Sequence, residues 1–173
     1  MAGPRRHRPS AQARRDALLR ATVEVAAERG AAGTTHRAVT ERAGLPLATA
    51  SYFFSSIGDL VAEALRTHVA EEAERLAALA AELVAGRRTP DELAAALAEA
   101  AMPRGPLPFT LAQFEAYLQA ARGPALRDAV ADALATYRQV AEAALVAAGA
   151  PPDAAAEAAP AFIALADPHT TFT

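Results

Sequence analysis

The tripeptide Gly44-Leu45-Pro46 lies between two short stretches that both favour helix, and it limits the local fold more than any other feature of the chain. Glycine alone enters the left-handed conformation that ends a helix without strain. Proline suits the first turn of a following helix, where its missing N–H costs nothing. Upstream, Thr34 and Thr35 stand where an N-cap is wanted, with hydroxyls able to accept from free backbone N–H groups of the first turn. Ala38, Val39 and Ala43 follow at helical spacing. Downstream, residues 47–54 form a short segment poor in charge, with Thr49, Ser51 and Tyr52 among its polar groups. The spacing predicts two short helices joined by a tight turn over 34–54, the layout of a DNA-reading helix-turn-helix.

The rest of the 173-residue chain supplies the setting, with room for one sizeable core or for a small domain plus a larger one. Hydrophobic residues make up 53%, and the excess is alanine rather than β-branched residues, which predicts an all-α fold. There is no cysteine, so disulfides and thiolate metal sites are excluded and a reducing, cytoplasmic setting is expected. No apolar run reaches the roughly 18 residues of a membrane span, and no apolar stretch follows the basic N-terminus as a signal peptide would require. Residues 1–66 hold ten arginines against six acids, a balance of +4, whereas residues 67–173 hold seven against fourteen, a balance of −7. A basic front and an acidic back fit a small nucleic-acid-binding head on an acidic body.

In chain order, residues 1–11 carry Arg5, Arg6, His7 and Arg8 between prolines and read as a flexible basic tail. They are either solvated or an arm on DNA phosphates or the minor groove. A helix is predicted over 12–29, with Leu18, Ala21, Val25 and Ala26 on one face and Gly30 closing it. Ser56 with Asp59 fits a capping box for a long helix over 57–85, roughly 40 Å at about 1.5 Å per residue. Thr89-Pro90-Asp91-Glu92 opens another, lasting until about Met102. Pro103, Gly105, Pro106 and Pro108 predict a non-helical loop, with the next helix running from Thr110 to Arg122. Helices over 124–148 and 153–167 follow, the last kinked at Pro160 and stopped by Pro168.

Residues 14–66 resemble the N-terminal domain of TetR-family transcriptional regulators. The matching features, in order and in register, are Arg14-Arg15 ahead of Leu18-Leu19, then Glu28-Arg29-Gly30, Thr34-Thr35 and Ala43-Gly44-Leu45. Tyr52-Phe53-Phe54 comes next, ahead of Ser56 and Asp59-Leu60. The remainder matches the family only in architecture. Two positions depart from it: Ile57 stands where the family often has a lysine beside a phosphate, and Ser51 replaces the first of two adjacent tyrosines. The resemblance implies a helix-turn-helix DNA-binding domain at 12–56 and a helical regulatory and dimerisation domain at 57–173. It also implies a homodimer on double-stranded operator DNA and a small-molecule effector held in the second domain. Such proteins usually run somewhat longer, so the stop at Pro168 implies either a dimer held by less surface or a truncated chain.

Within that frame, Thr34, Thr35, His36 and Arg37 are the DNA-contact candidates at the start of the first short helix, whose N-terminus can offer backbone N–H groups to phosphate. For Thr35 capping and phosphate contact are compatible, and His36 fits a solvated position equally well. In the second helix Leu47, Ala48, Thr49 and Ser51 are candidates for base edges or thymine methyls, and Tyr52 for a phosphate. Val39, Leu45, Ala50 and Phe54 are expected in the core, and Phe53 fits either core or interface. Candidate effector-binding residues are His68, Met102, Phe109, Phe114, Tyr117 and Tyr137, each of which also reads as plain core. The Ala- and Leu-rich wall favours an apolar or aromatic effector. No GxSxG, HExxH or Gly-rich phosphate loop is present and the four histidines lack ligand spacing, so no enzyme, metal or cofactor is expected. The alternative is a helical ligand- or partner-binding protein that has lost specific operator binding.

Overall fold

The computed structural model describes residues 10–85, 89, 91–92 and 107–166, and among them every regular element is helical. The Arg-rich tail before residue 10, Met102 and the chain after residue 166 lie outside the described residues.

Helix α1 (Ala11–Arg29) starts at Ser10, whose hydroxyl accepts from the Ala13 N–H at 3.1 Å. It ends at Gly30, and a 3-10 turn, Ala31–Gly33, leads to α2 (His36–Ala43). Thr35 caps α2, its hydroxyl accepting from the Ala38 N–H at 3.2 Å. Gly44 takes the left-handed conformation (φ 65°, ψ 32°), and the Leu45 N–H returns to the Thr40 carbonyl at 2.9 Å, satisfying an acceptor the helix end would otherwise leave free. Helix α3 (Ala48–Phe53) follows. The Pro46 carbonyl accepts from the Thr49 N–H at 2.8 Å, so the proline stands immediately ahead of α3. Ser56 caps α4 (Ile57–Ala85) by accepting from the Asp59 N–H at 3.0 Å.

Of the second start signal, the box between Thr89 and Glu92 is formed, while Pro90 and the rest of the helix read on to Met102 lie outside the described residues. Glu92 Oε2 accepts from the Thr89 N–H (2.9 Å) and hydroxyl (3.0 Å), and the Thr89 hydroxyl accepts from the Glu92 N–H (3.3 Å). Helix α5 (Leu107–Arg122) corrects the reading of a non-helical loop through Pro108. The helix begins three residues earlier than Thr110 and includes that proline in its first turn, where the N–H that proline lacks would have had no intrahelical acceptor. A 3-10 turn, Pro124–Leu126, feeds α6 (Arg127–Ala147), and α7 (Pro152–Ala166) continues through Pro160, which removes a single backbone donor.

One core runs from head to body. Leu18 and Val25 of α1, Val39 of α2 and Ala50 of α3 meet Leu60, Leu65 and Val69 of α4, while Ala112 and Ala116 of α5 close on the other side. Each fully buried Leu or Val contributes about 1.5–3 kcal/mol relative to exposure. Ala112, Ala116 and Ala120 of α5 are buried, and such small side chains let α1 and α5 lie close together. Helix α4 is common to both halves, packing on α1 in the head and on α6 in the body, with α7 laid against α6.

Candidate functional sites

The head is held by charged cross-links that decide which of its arginines remain outward. Arg42 of α2 donates to Glu24 (3.0 Å) and to both oxygens of Glu28 (2.8 and 2.7 Å) on α1. The Arg42 hydrogen bond holds the Glu28 carboxyl below its usual range, and the same bond raises the guanidinium above its own. Arg15 pairs with Glu63 of α4 and lies over the Phe54 ring at 5.5 Å. Arg37, with 81% of its side chain exposed, pairs with Glu41 of its own helix at 2.9 Å and faces outward from the first turn of α2.

The sequence-predicted contact residues then divide. Thr34 is 4% exposed and its hydroxyl donates to the Gly30 carbonyl at 3.0 Å, so its side chain is committed to the loop and leaves the DNA-facing set. Thr35 is exposed and caps α2. His36 is half-buried, with its Nε2 shielded and without a partner among the described residues. On α3, Leu47 (58% exposed), Ala48, Ser51 and Tyr52 (76%) share one outward face, Thr49 is half-buried beside them, and Ala50 and Phe54 hold the opposite face in the core. Tyr52 is braced edge-on by Phe53, ring centroids 4.9 Å apart, which leaves the hydroxyl end free to project. Of the two departures, Ser51 donates to the Ala48 carbonyl at 3.2 Å, and Ile57 packs half-buried against the core.

The body brings five of the six effector candidates into two adjoining groups. Gln113 Nε2 donates to the hydroxyl oxygens of Tyr117 (2.7 Å) and Tyr137 (2.9 Å), joining α5 to α6. Its own carbonyl oxygen is buried with no partner among the described residues. Burial pushes the Tyr137 phenol well above its ordinary range, so it stays protonated and able to donate. Phe114 meets Tyr117 edge-on at 6.1 Å. His68, buried on α4, lies with Nε2 2.9 Å from the Phe109 carbonyl, so that nitrogen carries the proton and donates; the two rings are 5.7 Å apart. Gln113 is the residue the sequence reading missed as a site residue. Its signal was the spacing of four from Phe109 and from Tyr117 along one helix face.

Head and body are tied through Glu115 of α5. Its Oε1 accepts from the Ala31 N–H, 84 positions away, at 3.1 Å and from Gln119 Nε2 at 2.9 Å. Beside this tie a cleft of about 320 Å³ opens between the 3-10 turn, the start of α4 and the end of α5, with Ala31, Ile57, Val61, Gln119 and Leu126 among its walls. Among the described residues no group of three His, Asp or Glu side chains could hold a metal ion, and no helix is long and apolar enough to cross a membrane.

Comparison with known proteins accounts for both halves. Residues 18–64 match the model of bacterial regulatory proteins of the tetR family, and residues 88–168 match that of the tetracyclin repressor-like C-terminal domain. No curated protein matches the chain. Among solved structures, a transcriptional regulator from Saccharomonospora viridis in complex with choline is 25% identical, with a TM-score of 0.75, over 93% of this chain and 84% of that one. A member of the TetR family from Streptomyces coelicolor A3 is 29% identical, with a TM-score of 0.64, over 89% and 83% of the two chains. The multidrug binding protein EbrR complexed with proflavin is 30% identical, with a TM-score of 0.55, over 89% and 84%. The outward face of α3 on a capped helix pair, the helical body behind it and these matches agree: the chain belongs to the TetR family of regulators, DNA-binding transcription factors rather than enzymes.

Proposed function

We propose that the chain is a repressor that binds a palindromic operator as a homodimer and releases it when a small organic molecule enters the body. The observation that carries the reading is the outward stripe of Leu47, Ala48, Ser51 and Tyr52 on a helix whose other face is anchored in the core. A two-fold dimer sets two such helices in successive major grooves, about 34–36 Å apart. Residues 12–56 act as the DNA-binding domain and 57–173 as the regulatory and dimerisation domain. Exposed Leu134 and Val146 on α6 support a subunit contact through that helix and α7.

The effector reading rests on the Gln113, Tyr117 and Tyr137 group, where a buried amide oxygen lacks a donor. An apolar or aromatic molecule bearing an N–H or O–H would supply one while stacking on the neighbouring rings. Of the molecules held by two similar proteins, proflavin is an aromatic amine and choline carries a hydroxyl.

The test is a mobility-shift and salt titration on the DNA just upstream of the protein's own gene, with the wild type, Tyr52→Ala and Arg37→Ala. Both variants should bind more weakly while remaining folded and dimeric. Unchanged affinity in both across the titration would sink the assignment of the DNA face. One observation favours the second reading, a ligand-binding protein without operator specificity: Arg15 and Arg42 of the head are committed to carboxylates of α4 and α1. A weak interaction that collapses with salt and ignores sequence would establish that reading instead.

A further inference from the structure

Guanine in the major groove is read by the fork of an arginine or by lysine, and adenine by the paired donor and acceptor of asparagine or glutamine. The segment 44–56 contains none of these four residue types. Of the arginines on the neighbouring helices, Arg42 is bound to Glu24 and Glu28, Arg15 is bound to Glu63 and turned onto Phe54, and the outward Arg37 belongs to the start of α2 and not to the face of α3. What α3 and its N-cap offer a groove is the isobutyl group of Leu47, the methyl of Ala48 and the hydroxyls of Ser51 and Tyr52, with Thr49 half-buried beside them. The Ser51 hydroxyl already donates its proton to the Ala48 carbonyl, so toward DNA it acts as an acceptor. The only apolar group that a base pair presents in the major groove is the 5-methyl of thymine. An exposed Leu47 laid against any other base edge would desolvate polar atoms without giving them a partner.

Resting on the operator-binding reading above, we propose that α3 selects its half-site through thymine methyl groups, with Leu47 and Ala48 as the specificity-determining residues and Tyr52 as a phosphate anchor. The operator segment under α3 is therefore A·T-rich and contains at least one thymine whose methyl meets Leu47.

The test uses the full-length protein. Bound duplexes are selected from a random pool, and each thymine of one half-site is then replaced singly by uracil, which removes the methyl and keeps the base pair. Uracil at the contacted position should lower affinity about fourfold per methyl removed, and about fifteenfold when both half-sites are changed. In Leu47→Ala, whose site is on the surface, the thymine duplex should be bound more weakly and the difference between thymine and uracil should vanish. This separates a methyl contact from any effect of uracil on DNA shape. Enrichment of a site with no uracil-sensitive position, or one in which every sensitive position keeps its sensitivity in Leu47→Ala, overturns the inference alone. Failure to enrich any sequence overturns the operator reading and this inference with it.

Discussion

Replacing Glu115 by alanine should loosen the head without unfolding the body. The carboxylate is the acceptor that α5 offers to the backbone of the 3-10 turn just ahead of α2, and the Ala31 N–H reaches it at 3.1 Å. A hydrogen bond to a charged group contributes about 1.5–3 kcal/mol. The contact is only part-buried and longer than the usual charge-assisted bond, so the lower end, about 1.5 kcal/mol, is the appropriate figure. For a chain of this length that corresponds to a fall in Tm of about 3–6 °C. Glu115→Gln keeps an acceptor but not the charge, and should fall between the wild type and alanine. The more direct readout is amide exchange. Protection of the Ala31 N–H should drop about tenfold in Glu115→Ala, while the amides of α6 stay unchanged. If Ala31 exchanges at the wild-type rate in Glu115→Ala, the bond does not hold the turn and the argument fails. If α6 loses protection equally, Glu115 supports the whole fold rather than the head.

Two other perturbations follow from local geometry. Gly30 (φ 71°, ψ 165°) and Gly44 (φ 65°, ψ 32°) both have positive φ and room for a methyl group, with the nearest atom to a Cβ on Gly30 at 3.9 Å and none within 4 Å of Gly44. The cost of alanine is thus conformational, about 1 kcal/mol in the left-handed region of Gly44 and about 2–3 kcal/mol in the glycine-only region of Gly30. Urea denaturation in which Gly44→Ala is the more damaging of the two would refute this ordering. Because burial raises the Tyr137 phenol, the unfolded chain gives up that proton first, near pH 10, and the folded state loses stability as pH climbs beyond that point. Thermal melts from pH 8 to 11 should show a steeper alkaline decline in the wild type than in Tyr137→Phe, and parallel curves would contradict the assignment.

The features legible in the sequence were those encoded within a few residues. The Thr35 and Ser56 caps, the Gly44 turn and the Thr89–Glu92 box all arise from partners three to five positions apart. Pro108 misled because proline breaks a helix interior but suits its first turn, and nothing local says which applies. The tie from Glu115 to Ala31 and the clamp of Arg42 on Glu24 and Glu28 depend on how whole helices dock, and a local pattern carries no trace of that. The same limit explains Thr34: a hydroxyl at a helix start reads as a cap or a contact, and only the fold of the 30–34 loop shows it turned back to Gly30. Gln113 escaped notice as a site residue because an amide on a helix reads as surface until Tyr137 is brought against it from α6.

The division of labour along α3 has a practical consequence. Ala50 and Phe54 fasten that helix, while Leu47, Ala48, Ser51 and Tyr52 contribute little to the interior. Substitutions at such surface positions usually shift stability by no more than about 0.5 kcal/mol. A library varying Leu47, Ala48 and Ser51 can therefore be screened for new target sequences with nearly every member still folded. The head then serves as an interchangeable reading cartridge, retargeted without redesign of the body that would govern its release.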